Sequence, residues 1–151
     1  MRSPATKVLV DTGPLVAAMD RREASHPFAA ELIARLRRNA IVPTPVLVEV
    51  DHLLRGRAGS ETAGRFLQAT VDGERDIAYL SAGLLRRAVE LDDQYADLNL
   101  GFVDTCVMAI AERHKLLILT FDFADFRATE SANGPWPLLI GEDAFRSAIG
   151  A

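Results

Sequence analysis

The chain has 151 residues, the length of one ordinary domain, and its 49% hydrophobic and 25% charged content is globular usage, which excludes disordered and low-complexity classes. Seventeen Lys and Arg against 21 Asp and Glu leave a formal charge of −4, so a general basic coat for nucleic acid is excluded and an anionic substrate needs a local device. The single cysteine, Cys106, excludes an internal disulfide and a thiolate zinc site and makes the cytoplasm the expected compartment, with no membrane partner, because no apolar run nears the ~20 residues of a membrane helix.

Residues 1–6 precede the first patterned element and are expected as a flexible N-terminal extension. Lys7-Val8-Leu9-Val10 is a short β-branched apolar run, cut at once by Asp11, so it reads as a strand rather than an export signal. Asp11-Thr12-Gly13 then supplies turn chemistry, and Pro14 suits the first turn of a helix. A second helix is expected from about His26 to Arg38, with Phe28, Ala29, Leu32, Ile33 and Leu36 on one face. Ile41-Val42 is a brief strand, and Thr44-Pro45 reads as a cap followed by a first-position proline for a helix to about Arg55. Another helix follows Ser60. Ile77–Leu80 is a strand, and Ser81 caps a helix carrying Leu84, Leu85, Ala88, Val89 and Leu91. Gly101 opens a helix through His114. Leu116–Leu119 is the clearest buried strand, and Leu138–Ile140 a weaker one. Strand and helix alternate throughout, which predicts a three-layer α/β/α domain over residues 1–151 with right-handed crossovers and a mainly parallel central sheet.

In such sheets ligands sit beyond the carboxyl ends of the strands, and four acids fall where that rim is expected. Asp11 follows the first strand, and Asp122 follows the strand ending at Leu119. Glu49 borders the face made by Val46, Val50 and Leu53, and Asp104 lies in the first turn after Gly101. Each also has a purely structural reading: helix cap for Asp11, dipole complement for Asp104, turn former for Asp122, half-exposed helix residue for Glu49. Taken together, carboxylates crowded at one rim repel and raise one another's pKa unless a cation neutralises them. Oxygen donors suit a hard divalent ion, Mg²⁺ or Mn²⁺.

The series Val10-Asp11-Thr12, Pro43-Thr44-Pro45 leading into Glu49, Val103-Asp104-Thr105, and Thr120-Phe121-Asp122 with Asp125-Phe126 just after resembles the PIN-domain ribonucleases, and within them the VapC toxins of toxin–antitoxin pairs. The resemblance runs from Lys7 to about Ile140. It implies a PIN-like fold and a Mg²⁺- or Mn²⁺-dependent endoribonuclease that inhibits translation and growth. The implied partners are an RNA substrate, a VapB-like antitoxin and a second copy in a homodimer. Carried over by position, Asp11 and Asp104 are the principal metal ligands, Glu49 and Asp122 complete the catalytic acids, and Thr12 and Thr120 orient carboxylates through hydrogen bonds. The expected products carry 5′-phosphate and 3′-hydroxyl ends. Two departures stand out: Gly13 replaces a hydroxyl residue, and Leu100-Gly101 replaces a further aspartate, leaving Asp97 upstream and Asp125 downstream as auxiliaries.

Other residues carry less. Only Lys7 and Lys115 are lysines, so Arg21, Arg22, Arg35, Arg37, Arg38, Arg55, Arg57, Arg86, Arg87 and Arg113 are among the candidate phosphate contacts, none assignable singly. His26, His52 and His114 are scattered, which argues against histidine ligation. Cys106 shares a face with Val103, Val107 and Ile110 and reads as a core thiol, and Trp136 between prolines reads as loop packing. The apolar faces with Leu15, Val16, Phe28, Leu32 and Leu36 suit a core or an antitoxin groove alike. Two other classes stay open: an inactive PIN-like binding or scaffold protein whose acidic rim only holds a cation, and an aspartyl-phosphate phosphotransfer protein. The absence of an Asp-x-Asp pair after the first strand counts against the latter.

Overall fold

The computed structural model describes residues 6–150, so the extension expected over residues 1–6 lies, but for Thr6, outside the described residues. The elements run β1 (Val8–Val10), α1 (Thr12–Met19), α2 (His26–Leu36), β2 (Ala40–Pro43), α3 (Thr44–Arg57), α4 (Ser60–Val71), β3 (Asp76–Ala78), α5 (Ala82–Gln94), α6 (Phe102–His114), β4 (Leu117–Leu119), α7 (Phe123–Ala128) and α8 (Glu142–Ile149). The sheet has the order β3-β2-β1-β4, and every strand pairing is parallel. The expected α/β class with a parallel sheet between helices is thus the class observed.

β1 occupies the middle of the sheet, which explains its uninterrupted apolar run: Val8, Leu9 and Val10 are all buried, as a strand covered on both faces requires. The helices pack in pairs, α1 with α2, α3 with α4 and α5 with α6, while α3 also meets α1 and α6. The stretch Thr105–Ala111 carries no charge and is buried all round, making α6 the central helix. Cys106 lies within it and burial pushes its thiol up to about 11, so it is an inert core group, as its apolar neighbours predict.

Trp136 also packs as expected: its indole N–H donates to Thr129 Oγ1 at 2.9 Å and its ring meets Phe126 edge-on. Several local expectations need correction. Leu138–Ile140 is reduced to one parallel bridge, Ile118 to Leu138, because Pro137 has no N–H to give and α8 begins soon after at Glu142. Thr44 is the first residue of α3 rather than its cap, and Pro43 holds the cap position without a side-chain hydrogen bond. α2 ends at Leu36, where Arg37 turns to a φ of 50° and a 3₁₀ turn leads into β2. Leu15 and Val16 are buried, whereas Phe28, Leu32 and Leu36 remain partly exposed. Among the described residues no helix is long and apolar enough to cross a membrane.

Candidate active site

Because the strands are parallel, their carboxyl ends share one rim, and the chain leaves that rim at Asp11 and Thr120. The register pairs Val10 with Leu119, so the next residue of each strand stands beside the other. The Asp11 amide donates to the Leu119 carbonyl at 2.9 Å, and Thr120 Oγ1 donates to Asp11 Oδ2 at 2.8 Å. Asp11 Oδ1 accepts the Thr12 amide at 2.8 Å, so this carboxylate caps α1 and belongs to the rim at once. The Thr120 hydroxyl also accepts the Asp122 amide at 3.0 Å, which sets the turn carrying the second acid.

Asp11, Glu49, Asp104 and Asp122 line one open cleft of about 770 Å³, floored by the strand ends and walled by α3 and the start of α6. Carboxylate oxygens of Asp104, Asp122 and Asp125 lie within 4.8 Å of one another. Asp125 comes from α7, an element without a sequence signal of its own beyond Asp122 at its cap position. At Leu100-Gly101, where the further aspartate is missing, Leu100 is buried and Gly101 has a φ of +92°. Asp97 lies on the exposed 3₁₀ turn Ala96–Leu98 and is not part of the cleft, because the left-handed residue Asn99 turns the chain before α6 begins. Thr12 reaches Asp11 through its amide and not through its hydroxyl, whose buried oxygen has no partner among the described residues.

Burial and mutual repulsion dominate the electrostatics of the cleft. Burial pushes Asp11 up to about 6, against the Thr12 amide and Thr120 hydroxyl that pull it down, and the charges of Asp122 and Glu49 add to the rise. Asp104 is pushed up to about 8, first by burial and then by the charges of Asp11, Asp122, Asp125 and Glu49. Asp125 is raised too, by burial and by Asp122. Hard oxygen donors that repel in this way fit Mg²⁺ or Mn²⁺, with room left for water and a phosphate oxygen. A side chain at Gly13 would meet Phe121 Cβ at 3.7 Å, an ordinary contact, so the missing hydroxyl is not forced by packing.

Sequence reasoning missed α8 and with it Phe145, which lines the cleft and stacks on Phe121 at a centroid distance of 4.3 Å. The available signal was Phe145 and Ile149, four apart, after the acidic first turn Glu142-Asp143. Glu23 and Arg57 also line the cleft and pair at 3.3 Å, a contact 34 residues apart in the chain that no spacing reveals.

Comparison with known proteins adds four findings. The family described as the PIN domain matches residues 8–131. Ribonuclease VapC26 of Mycobacterium tuberculosis is 27% identical over 128 residues, covering 84% of this chain and 95% of that protein. Among solved structures, the sarcin-ricin loop cleaving toxin VapC20 of Mycobacterium tuberculosis superposes with a TM-score of 0.73 at 24% identity, covering 81% of this chain and 94% of that one. A toxin–antitoxin complex from Klebsiella pneumoniae has a TM-score of 0.63 at 20% identity, covering 87% of this chain and 100% of that one.

Proposed function

The chain belongs to the PIN-domain family, and from that premise we propose that it is the toxin of a VapBC-type pair, a Mg²⁺- or Mn²⁺-dependent endoribonuclease acting in the cytoplasm. The observation that carries the reading is the cleft in which Asp11, Glu49, Asp104 and Asp122 face one another with Asp125 beside them. The similarity to a ribonuclease over most of both chains supports the substrate class, and the toxin–antitoxin neighbour supports an antitoxin partner. Val48 and Phe102, 72% and 53% exposed, line an apolar groove that also contains Glu49, and we assign that groove to the homodimer.

In this reading Asp11 and Asp104 would hold the metal, with Asp122 and Asp125 available to complete the oxygen set. A bound divalent ion supplies charge neutralisation, polarisation of a phosphoryl oxygen and an acidified water for in-line attack. The residues do the rest. Thr120 and the Thr12 amide lock both oxygens of Asp11, so its remaining lone pairs have a fixed direction. Glu49, reaching in from α3, takes the proton of the attacking water.

Thr120→Val removes the hydroxyl that lowers the Asp11 pKa. At pH 7 cleavage is then expected to fall roughly tenfold, with part of the loss recovered at higher pH where Asp11 ionises again. A kcat/KM profile against pH reads this, and an unshifted profile would count against the hydrogen bond's role. The function itself is tested by incubating the purified chain and RNA with and without Mg²⁺ and mapping the ends. Expected products are 5′-phosphate and 3′-hydroxyl, made only with metal. Cyclic 2′,3′-phosphates, or cleavage in EDTA, would refute the mechanism.

A further inference from the structure

A second pocket adjoins the acid cleft, and it is basic. Arg21 and Arg22 reach it from the turn after α1, Arg57 from the end of α3 and Arg65 from α4. Arg57 lines both pockets, so its side chain separates one from the other. The lining holds these four arginines and one acid, Asp20, so it stays net positive even with Glu23 and Glu61 paired to Arg57 and Arg65, in a chain whose formal total is −4.

That one acid is spent on building the pocket. Asp20 is only 5% exposed and accepts the Arg22 amide at 3.1 Å, its Nε at 3.2 Å and its Nη2 at 3.4 Å. Arg22 Nη2 also donates to the Arg57 carbonyl, tying the turn after α1 to the end of α3. One guanidinium is thereby held in place by a buried carboxylate, which an arginine serving only to solvate a helix face does not need. Arg57 and Arg65 meet their acids, Glu23 and Glu61, at 3.3 Å in exposed pairs that solvent weakens. Among the described residues Arg21 makes no ion pair.

A phosphodiester chain entering a carboxylate-lined cleft is repelled along its length, and a metal ion compensates only at the bond being cut. Guanidinium forks match phosphate oxygens in shape and charge. We infer that the Arg21, Arg22, Arg57 and Arg65 pocket is a backbone-phosphate subsite, which holds a phosphate flanking the scissile bond and sets the direction in which RNA leaves the acid cleft. The inference rests on the ribonuclease reading above.

Arg21 and Arg65 are the members to change, because neither anchors Asp20 or the α3 carbonyl. In the full chain carrying Asp104→Asn to prevent cleavage, the affinity of an unstructured single-stranded RNA oligonucleotide is measured over a range of salt. Arg21→Gln with Arg65→Gln is expected to weaken binding roughly tenfold and to lower the salt slope by about 1.4, two phosphate contacts at ~0.7 each. Arg35→Gln with Arg38→Gln, a charge-matched pair beyond the amino-terminal ends of the strands, is expected to change little. Arg21→Lys with Arg65→Lys, keeping charge without the fork, should recover most of the slope, which separates lost contacts from a misfolded variant.

Unchanged RNA affinity in the glutamine pair, or an equal loss in the control pair, would overturn the inference. So would retained RNA affinity with lost binding of a polyglutamate peptide, which would make the pocket a protein contact. If the wild-type chain cleaves RNA and the glutamine pair still binds it normally, the subsite falls and the ribonuclease stands. If the pair weakens RNA binding but the wild type cleaves nothing with Mg²⁺, the ribonuclease reading falls and the phosphate contact stands.

Discussion

Asp104→Asn is expected to reduce RNA cleavage by roughly a thousandfold or more while raising the melting temperature of the metal-free chain at pH 8. Most substitutions of half-buried residues cost stability. This one removes a charge that its surroundings penalise: burial and four neighbouring carboxylates push Asp104 up to about 8, and asparagine keeps its shape without the charge. The gain should vanish at pH 5, where the native carboxyl is already protonated. In cells, induced expression of the variant should leave growth and RNA intact. Thermal melts at both pH values, beside growth and RNA-end mapping, provide the check. Growth arrest equal to that of the wild type would discard the enzyme, and a lower melting temperature at pH 8 would discard the account of the site as strained by like charge.

The second large effect is a coupling of stability to pH and metal. Asp11 and Asp104 titrate near 6 and near 8 in the folded chain, against 3.8 for an ordinary aspartate. A carboxyl that binds its proton more tightly when folded favours folding below its ordinary pKa, and this contribution is lost as pH rises through the folded value. For the buried Asp11 the loss is on the order of 3 kcal/mol. Asp20, Asp76, Glu112 and Glu142 have lowered values from their arginine and lysine partners and act in the opposite sense, but their effect is complete above about pH 5. Between pH 5 and 9 the metal-free chain should therefore lose stability, and saturating Mg²⁺ or Mn²⁺ should flatten the slope by binding only the ionised site. Melting curves in EDTA and in Mg²⁺ across that range decide it; parallel curves would mean that no cation binds at the acid cleft.

How much of this was legible in the residues depends on the distance over which each signal acts. β1 and β4 were readable because buried parallel strands need unbroken apolar runs, and Val8–Val10 and Leu117–Leu119 are such runs. Asp11, Glu49, Asp104 and Asp122 were legible as candidates because each sits at a strand end or on a helix whose pattern is local. Their convergence in one cleft follows from the parallel order of the sheet, which brings the strand ends to a single rim.

Which of the two auxiliary candidates, Asp97 or Asp125, neighbours the other acids was not legible. Both lie near an element end in the sequence, and only the folded path separates an exposed 3₁₀ turn from a carboxylate within 4.8 Å of Asp104 and Asp122. The arginine pocket is the same case, assembled from the turn after α1, the end of α3 and the face of α4. Hydrophobic period and turn chemistry act between near neighbours, so they specify elements and the acids attached to them. Charge acts through space, so which acids crowd together and which arginines adjoin them depends on helix packing that brings residues such as Glu23 and Arg57 to 3.3 Å.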